Sequence, residues 1–214
     1  MSEPLVLVFD CGSTNLTVSA VTPTGRIAAS QSQPNSTAPD PSGEAGWLVW
    51  DLDRLMELLT EAARGVVAEV DRDAVSALTV TTWGADGAPM DAAGRLTYPI
   101  ISWQCCRTEP LAASFTASHD PYEVYCETGY QVIPFNTLLK ILWLRERAPE
   151  SLTSAESFLM MPGLVSYRLC GERSIDPTAA GTSMATKVAA RGWSESMLAL
   201  AGLDASFFPR WVEP

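Results

Sequence analysis

The pattern of apolar and polar positions changes period near the start of the chain. Leu5-Val6-Leu7-Val8-Phe9 is continuously apolar and rich in β-branched side chains, as a strand covered on both faces is. From Asn15 the pattern alternates, with Leu16, Val18 and Ala20 on one face and Thr17, Ser19 and Val21 on the other, which is a strand period. Between the two lies the turn Asp10-Cys11-Gly12-Ser13-Thr14. Pro23-Thr24-Gly25 marks a second turn, and Arg26 to Gln33 reads as a third strand. Pro34 to Gly46 is a Pro-, Ser-, Asp- and Gly-rich loop, closed by Trp47 to Trp50 as a lid packed on the body. Leu52, Leu55, Met56, Leu58, Leu59, Ala62, Ala63, Val66 and Val67 then recur at helical spacing, so Asp51 to Val70 is predicted as an amphipathic helix with Asp51 as its N-cap. Val75 to Thr82 follows this crossover and is expected as a buried strand parallel to the first. Strand, strand, strand, helix, strand is the order of a ribonuclease-H-like α/β fold, a mixed sheet flanked by helices.

Further along, Asp91 to Arg95 makes the turn of a small hairpin that leads to Tyr98 to Trp103. Leu111 to Glu127 is weakly patterned and reads as helix in pieces. Thr137 to Arg147 is a clear helix stopped before Pro149, and Ser157 to Met161 is a strand or buried link. Helices are expected at Pro162 to Cys170, ended by Gly171, and at Ser194 to Ala201, ended by Gly202.

Composition narrows the class. At 214 residues and 47% hydrophobic, the chain can bury the core of one large domain, or of one domain with an appendage. Its 14 basic and 25 acidic residues give a net charge of -11 with no basic run, which argues against nucleic acid or an anionic membrane as the main partner. The N-terminal apolar run is too short for a secretion signal or a membrane span, so the cytoplasm is expected. Five cysteines, with Cys105 and Cys106 adjacent and no C-x-x-C spacing, suggest free thiols; Cys11, Cys126 and Cys170 read as small hydrophobes. The one histidine, His119, lies in Ala-Ser-His-Asp-Pro and reads as a surface or capping residue.

Three stretches can carry chemistry. The Asp10 to Thr14 turn lacks both the Gly-Lys-Ser/Thr of a Walker loop and the spaced glycines of a dinucleotide fingerprint. It does have Gly12 for close backbone approach, two hydroxyls, Ser13 and Thr14, for an anion, and one carboxylate, Asp10, suited to a hydrated magnesium ion. The alternative is an ordinary hairpin turn. Trp83-Gly84-Ala85-Asp86-Gly87 follows a strand end, where α/β sites are commonly built. Asp86 can accept hydroxyls there, Gly84 and Gly87 let a ligand approach backbone, and Trp83 offers an apolar face; the alternative is a glycine-rich turn with a solvated aspartate. Phe135-Asn136 offers an aromatic wall and an amide, with helix capping the stronger expectation for Asn136.

Asp10 to Asn15 resembles the first phosphate loop of the sugar kinase, actin and hexokinase superfamily. Together with Thr81 to Pro89, Tyr98 to Thr108, Pro134 to Leu144 and Phe208 to Pro214, it makes the chain similar, end to end, to the FGGY carbohydrate kinases. The resemblance implies residues 1–214 as an N-terminal domain, the sugar-binding half plus a first phosphate loop. The general base, a second phosphate loop and the ATP-binding domain would then lie beyond Pro214, leaving this fragment inactive alone. It implies ATP and magnesium, with Asp10 on the metal and Gly12, Ser13, Thr14 and Asn15 on phosphate. It places Trp83, Gly84, Asp86, Gln104, Arg107, Phe135 and Asn136 on the sugar; Gln104 and Arg107 enter through the resemblance alone, against a surface salt bridge as the alternative. Asp176 to Thr182 and Gly192 to Ser194 resemble the stretch leading out of the family's first domain, with Lys187 where the family often has an acidic residue. The implied reaction is phosphorylation of the primary hydroxyl of a ketose, L-fuculose first and L-rhamnulose or another deoxyketose next, by an enzyme able to form homo-oligomers. The alternative of another class is a non-catalytic sugar-binding regulatory domain.

Overall fold

The computed structural model describes residues 3–41 and 43–213. Its strands are β1 (Leu5–Cys11), β2 (Asn15–Val21), β3 (Ile27–Pro34), β4 (Ala38–Pro39), β5 (Leu48–Trp50), β6 (Val75–Thr82), β7 (Gly87–Met90), β8 (Ile100–Ile101), β9 (Ser157–Met160), β10 (Thr186–Lys187) and β11 (Gly192–Trp193). Its helices are α1 (Leu52–Glu69), α2 (Glu109–Ser118), α3 (Pro121–Thr128), α4 (Thr137–Arg147), α5 (Pro149–Thr153), α6 (Met161–Cys170), α7 (Pro177–Gly181) and α8 (Glu195–Leu200). The chain divides into two compact units, Met1–Ala38 with Trp50–Trp83, and Pro39–Val49 with Gly84–Pro214.

In the first unit the sheet order is β3-β2-β1-β6. β1 runs antiparallel to β2, with Leu7 opposite Ala20 and Asp10 opposite Thr17, and parallel to β6, with Phe9 opposite Val80. The alternation read in β2 is the one observed: Leu16, Val18 and Ala20 are fully buried. Helix α1 packs on β2 and β3. It buries Leu55, Leu59, Ala62 and Val66, and each large aliphatic so buried contributes about 1.5–3 kcal/mol. Asp51 caps α1 by accepting from the Arg54 amide at 3.0 Å. One expectation fails here. β6 is parallel to β1 as predicted, yet it is not buried: Ser76 to Thr79 are exposed, Leu78 at 50%. The reason is position, since β6 is the edge of the sheet and α1 covers the opposite side of the strand order.

The second unit is built around α4, whose ends match the sequence reading. Leu138, Leu139, Ile141 and Leu144 pack in one core with Phe158, Met160, Ala180 and Met184. β7 and β9 form an antiparallel pair in which every residue is buried. A Cβ on Gly87 would lie 2.4 Å from the Leu159 carbonyl oxygen, so Gly87 is a glycine to let β9 close on β7 and not to admit a ligand. Gly171 and Gly202 end their helices at φ +79° and +66°, as predicted. His119 ends α2, its ring stacked on Phe115 at 4.3 Å and its Nδ1 within 3.2 Å of the Phe115 carbonyl, a capping role. Cys126 and Cys170 differ from expectation: both are exposed, on the outer faces of α3 and α6. No helix among the described residues is long and apolar enough to cross a membrane.

Candidate functional site

The turn of the first unit is shaped by its own backbone. The Gly12 amide donates to the Asn15 carbonyl at 2.9 Å, and Asn35 ties the turn down from β3, its Nδ2 donating to Gly12 O at 2.9 Å and its amide to Thr14 O at 2.8 Å. A Cβ on Gly12 would sit 2.7 Å from the Asn15 oxygen, so the tight crossing demands glycine. The amides and hydroxyls of Ser13 and Thr14 have no acceptor among the described residues. Asp10 is exposed at the end of β1, while its neighbour Cys11 points inward at 1% exposure. Burial, and after it the Asp10 charge, pushes the Cys11 thiol up to about 12, which keeps it a neutral core group. No cluster of three metal-ligating side chains occurs among the described residues. A single exposed carboxylate fits magnesium, which keeps most of its waters and takes one or two carboxylates. Trp83 also belongs to this unit and lies against Trp50, ring centroids 4.5 Å apart.

The turn of the second unit is held from all sides. The Asp86 amide donates to the Gly84 carbonyl at 2.9 Å, closing a three-residue turn on Ala85, whose φ is +67°. For a residue with a Cβ this γ-turn is rare and strained. Both backbone groups of Ala85 are pinned: its amide donates to Thr182 Oγ1 at 2.8 Å, and its carbonyl accepts from Thr137 Oγ1 at 2.9 Å and Lys140 Nζ at 3.2 Å. A Cβ on Gly84 would meet the Thr182 methyl at 2.7 Å, so this glycine makes room for Thr182.

Asp86 is not the carboxylate open to sugar hydroxyls, nor the solvated one, that the sequence suggests. It has no exposure; Oδ1 accepts from Lys140 Nζ and Oδ2 from the Trp103 amide at 3.1 Å. Burial pushes the Lys140 ammonium below its ordinary value while the Asp86 charge opposes the shift. Arg107 is likewise turned inward. Its guanidinium donates to Asp40 Oδ2 at 2.8 Å with neither side chain exposed, bonds Tyr98 Oη at 3.2 Å, and lies 4.4 Å from the Trp47 ring and 5.0 Å from the Trp143 ring. Bonded in this way, it fastens the segment before β5 and is buried, where the sequence alternative was a surface salt bridge. Asn136 stands at the N-cap position without capping: its Oδ1 accepts from the Ile133 amide at 2.6 Å, and its buried Nδ2 has no partner among the described residues.

What faces outward in this unit is an aromatic corner. Trp103, 39% exposed, meets half-buried Phe135 edge to face, centroids 6.3 Å apart at 80°, with exposed Gln104 beside it. The Asp86 to Trp103 bond brings Gly84, Asp86 and Gln104 into one neighbourhood, and the Trp103 to Phe135 contact brings Phe135 and Asn136 to it. Sequence reasoning passed over Lys140, Thr182 and Asp40. Lys140 had a signal, a charge on the apolar face of α4; Thr182 and Asp40 had none that local pattern supplies. Lys187 is exposed in β10, where it adds slightly to the lowering of the Glu127 carboxyl produced chiefly by the Ser194 and Ser196 hydroxyls.

Residues 5–214 match the N-terminal domain of the FGGY family of carbohydrate kinases. The chain belongs to the FGGY family. It is 37% identical over 214 residues to the L-fuculokinase of Salmonella typhi and 36% identical to that of Escherichia coli strain K12. Each alignment takes in 100% of this chain and 45% of the relative, so the FGGY chain spans less than half the length of these proteins. Among solved structures it is similar to a gluconate kinase from Lactobacillus acidophilus, with TM-score 0.90 and 17% identity over 100% of this chain and 42% of that one. A xylulose kinase from the same organism gives TM-score 0.89 and 16% identity over 99% and 42%. At such identities the likeness is one of fold, the α/β fold with a mixed sheet that actin, hexokinase and the sugar kinases share.

Proposed function

We propose that the whole protein transfers the γ-phosphoryl group of ATP to the primary hydroxyl of a ketose, L-fuculose, and that this chain supplies its first phosphate turn and its sugar-side wall. The observation that carries the reading is identity of 37% across all 214 residues with a protein named L-fuculokinase, against 17% for the gluconate kinase of the same fold. In the first unit, Asp10 holds the waters of a magnesium ion and the Ser13 and Thr14 groups receive phosphate oxygens, with Gly12 and Asn15 setting the turn. Magnesium, when bound, supplies neutralisation of the phosphate charge. In the second unit, the apolar face of the sugar rests in the Trp103 and Phe135 corner. Gln104 and the backbone at Gly84 receive hydroxyls, with Asn136 behind Phe135 and Asp86 fixing the turn. Trp83 stands at the head of that turn. The general base lies in the part of the relatives beyond this chain, and the enzyme works in the cytoplasm, where ATP is supplied.

Sugar-dependent ADP release with L-fuculose, L-rhamnulose and D-xylulose tests this, comparing the 214 residues with a protein of the relatives' length. Turnover by the longer protein alone, with L-fuculose preferred, is the expected result. A preference for L-rhamnulose moves the substrate within the family, since one hydroxyl's orientation is settled by side-chain positions finer than any motif. Binding of a ketose with no turnover by either protein replaces the kinase reading with a regulatory sugar-binding domain.

A further inference from the structure

We infer that Lys140 is a positioning residue for sugar recognition, one buried ammonium that locks both the Ala85 turn and, through Asp86, the backbone of Trp103; this rests on the sugar-kinase reading above. Packing alone does not account for a lysine there. Lys140 is 1% exposed, in a stretch of α4, Thr137 to Ile141, that is buried at every position. Taking a charged pair out of water costs several kcal/mol per ion before attraction repays it, and well-packed apolar side chains often serve stability as well or better. What a leucine or methionine cannot do is donate to two acceptors on consecutive residues.

Those acceptors are the two that matter for shape. The Ala85 carbonyl belongs to a residue at φ +67°, a strained conformation that persists only when its surroundings over-determine it. Thr137 and Thr182 supply two of the restraints and Lys140 the third. The second acceptor, Asp86 Oδ1, makes Asp86 a bridge, because its other oxygen takes the Trp103 amide. Trp103 carries the exposed ring of the aromatic corner and precedes Gln104. A displacement of about 1 Å in such a wall is enough to cost about 10²-fold in a reaction that depends on orientation. One charge therefore sets two pieces of wall against each other, while Lys140 itself touches nothing in the open part of the site.

The test uses the whole protein and reads the sugar KM, the ATP KM and kcat at a temperature well below the unfolding midpoint. Lys140→Met takes the cation away from the buried Asp86 carboxylate, so the informative variant is the neutral pair Lys140→Gln with Asp86→Asn, which keeps a hydrogen-bonded link. Lys140→Arg keeps the charge and replaces the compact ammonium by a planar fork. Either folded variant is expected to raise the sugar KM by about 10–100-fold while the ATP KM stays within about twofold. A purely structural lysine would lower the unfolding midpoint and move neither KM. Folded variants with both KM values unchanged overturn the positioning role and leave the kinase reading standing. If the wild-type protein neither binds nor phosphorylates any ketose, both fall together.

Discussion

In the first unit Asp10 stands exposed and the Ser13 and Thr14 donors have no acceptor among the described residues, in a hairpin held by Gly12 and Asn35. In the second unit Asp86 is wholly buried, and the strained turn before it is fixed by Thr137 and Lys140 of α4 and by Thr182 at the end of α7. A turn with exposed, unspent donors is one whose chemistry is completed by a ligand; a turn whose polar groups are all spent internally acts through shape. Changing the first should alter the reaction and spare the fold, and changing the second should alter geometry and stability together.

The largest effect expected from that contrast is at Asp10. Asp10→Asn in the whole protein should lower turnover at least about 10³-fold, the scale of losing one group that stabilises developing charge, with sugar binding by calorimetry near wild type. Retention of most turnover removes Asp10 from the metal. Arg107→Ala comes next and belongs to the second kind: it takes the cation away from buried Asp40 and should destabilise by about 3–5 kcal/mol in denaturant titration, without changing the sugar KM of the folded fraction. A raised sugar KM with unaltered stability would return Arg107 to the list of contacts. Gly12→Ala pushes a methyl group against the Asn15 carbonyl and should cost about 1–3 kcal/mol, with the loss showing in the ATP KM and not in the sugar KM.

The smallest effect appears only in alkali. The Cys11 thiol is raised from 9.0 to about 12, so above pH 9.0 the unfolded chain loses a proton that the folded chain keeps. Its contribution is intact below pH 9.0 and falls as the pH rises, by about 1.4 kcal/mol per pH unit, until the folded thiol ionises in turn. Unfolding free energies at pH 8 to 11 should drop more steeply for the wild type than for Cys11→Ala; parallel curves would mean that Cys11 ionises freely in the fold.

How far the sequence could be read follows the same division. β1, β2, α1 and the turn at Gly12 are local objects, each made by a period or by a few adjacent residues, and they lie where the pattern puts them. α4 was equally plain at both ends. The polar residues of the second unit were not, because Asp86, Arg107 and Asn136 look alike in sequence whether they face solvent, ligand or each other. Their partners, Lys140, Asp40 and Ile133, are set by packing, and the partner of Asp86 lies 54 positions away. β6 misled for a related reason: its apolar residues satisfy a strand pattern, and nothing in that pattern tells an edge from a centre.

That edge has a practical side. Among the described residues β6 pairs with β1 on one side only, along Val75–Thr82, and Ala77 and Leu78 of its sequence are exposed. A strand of this kind presents a row of backbone donors and acceptors that a further strand can complete, and its exposed apolar residues give that strand a face to pack on.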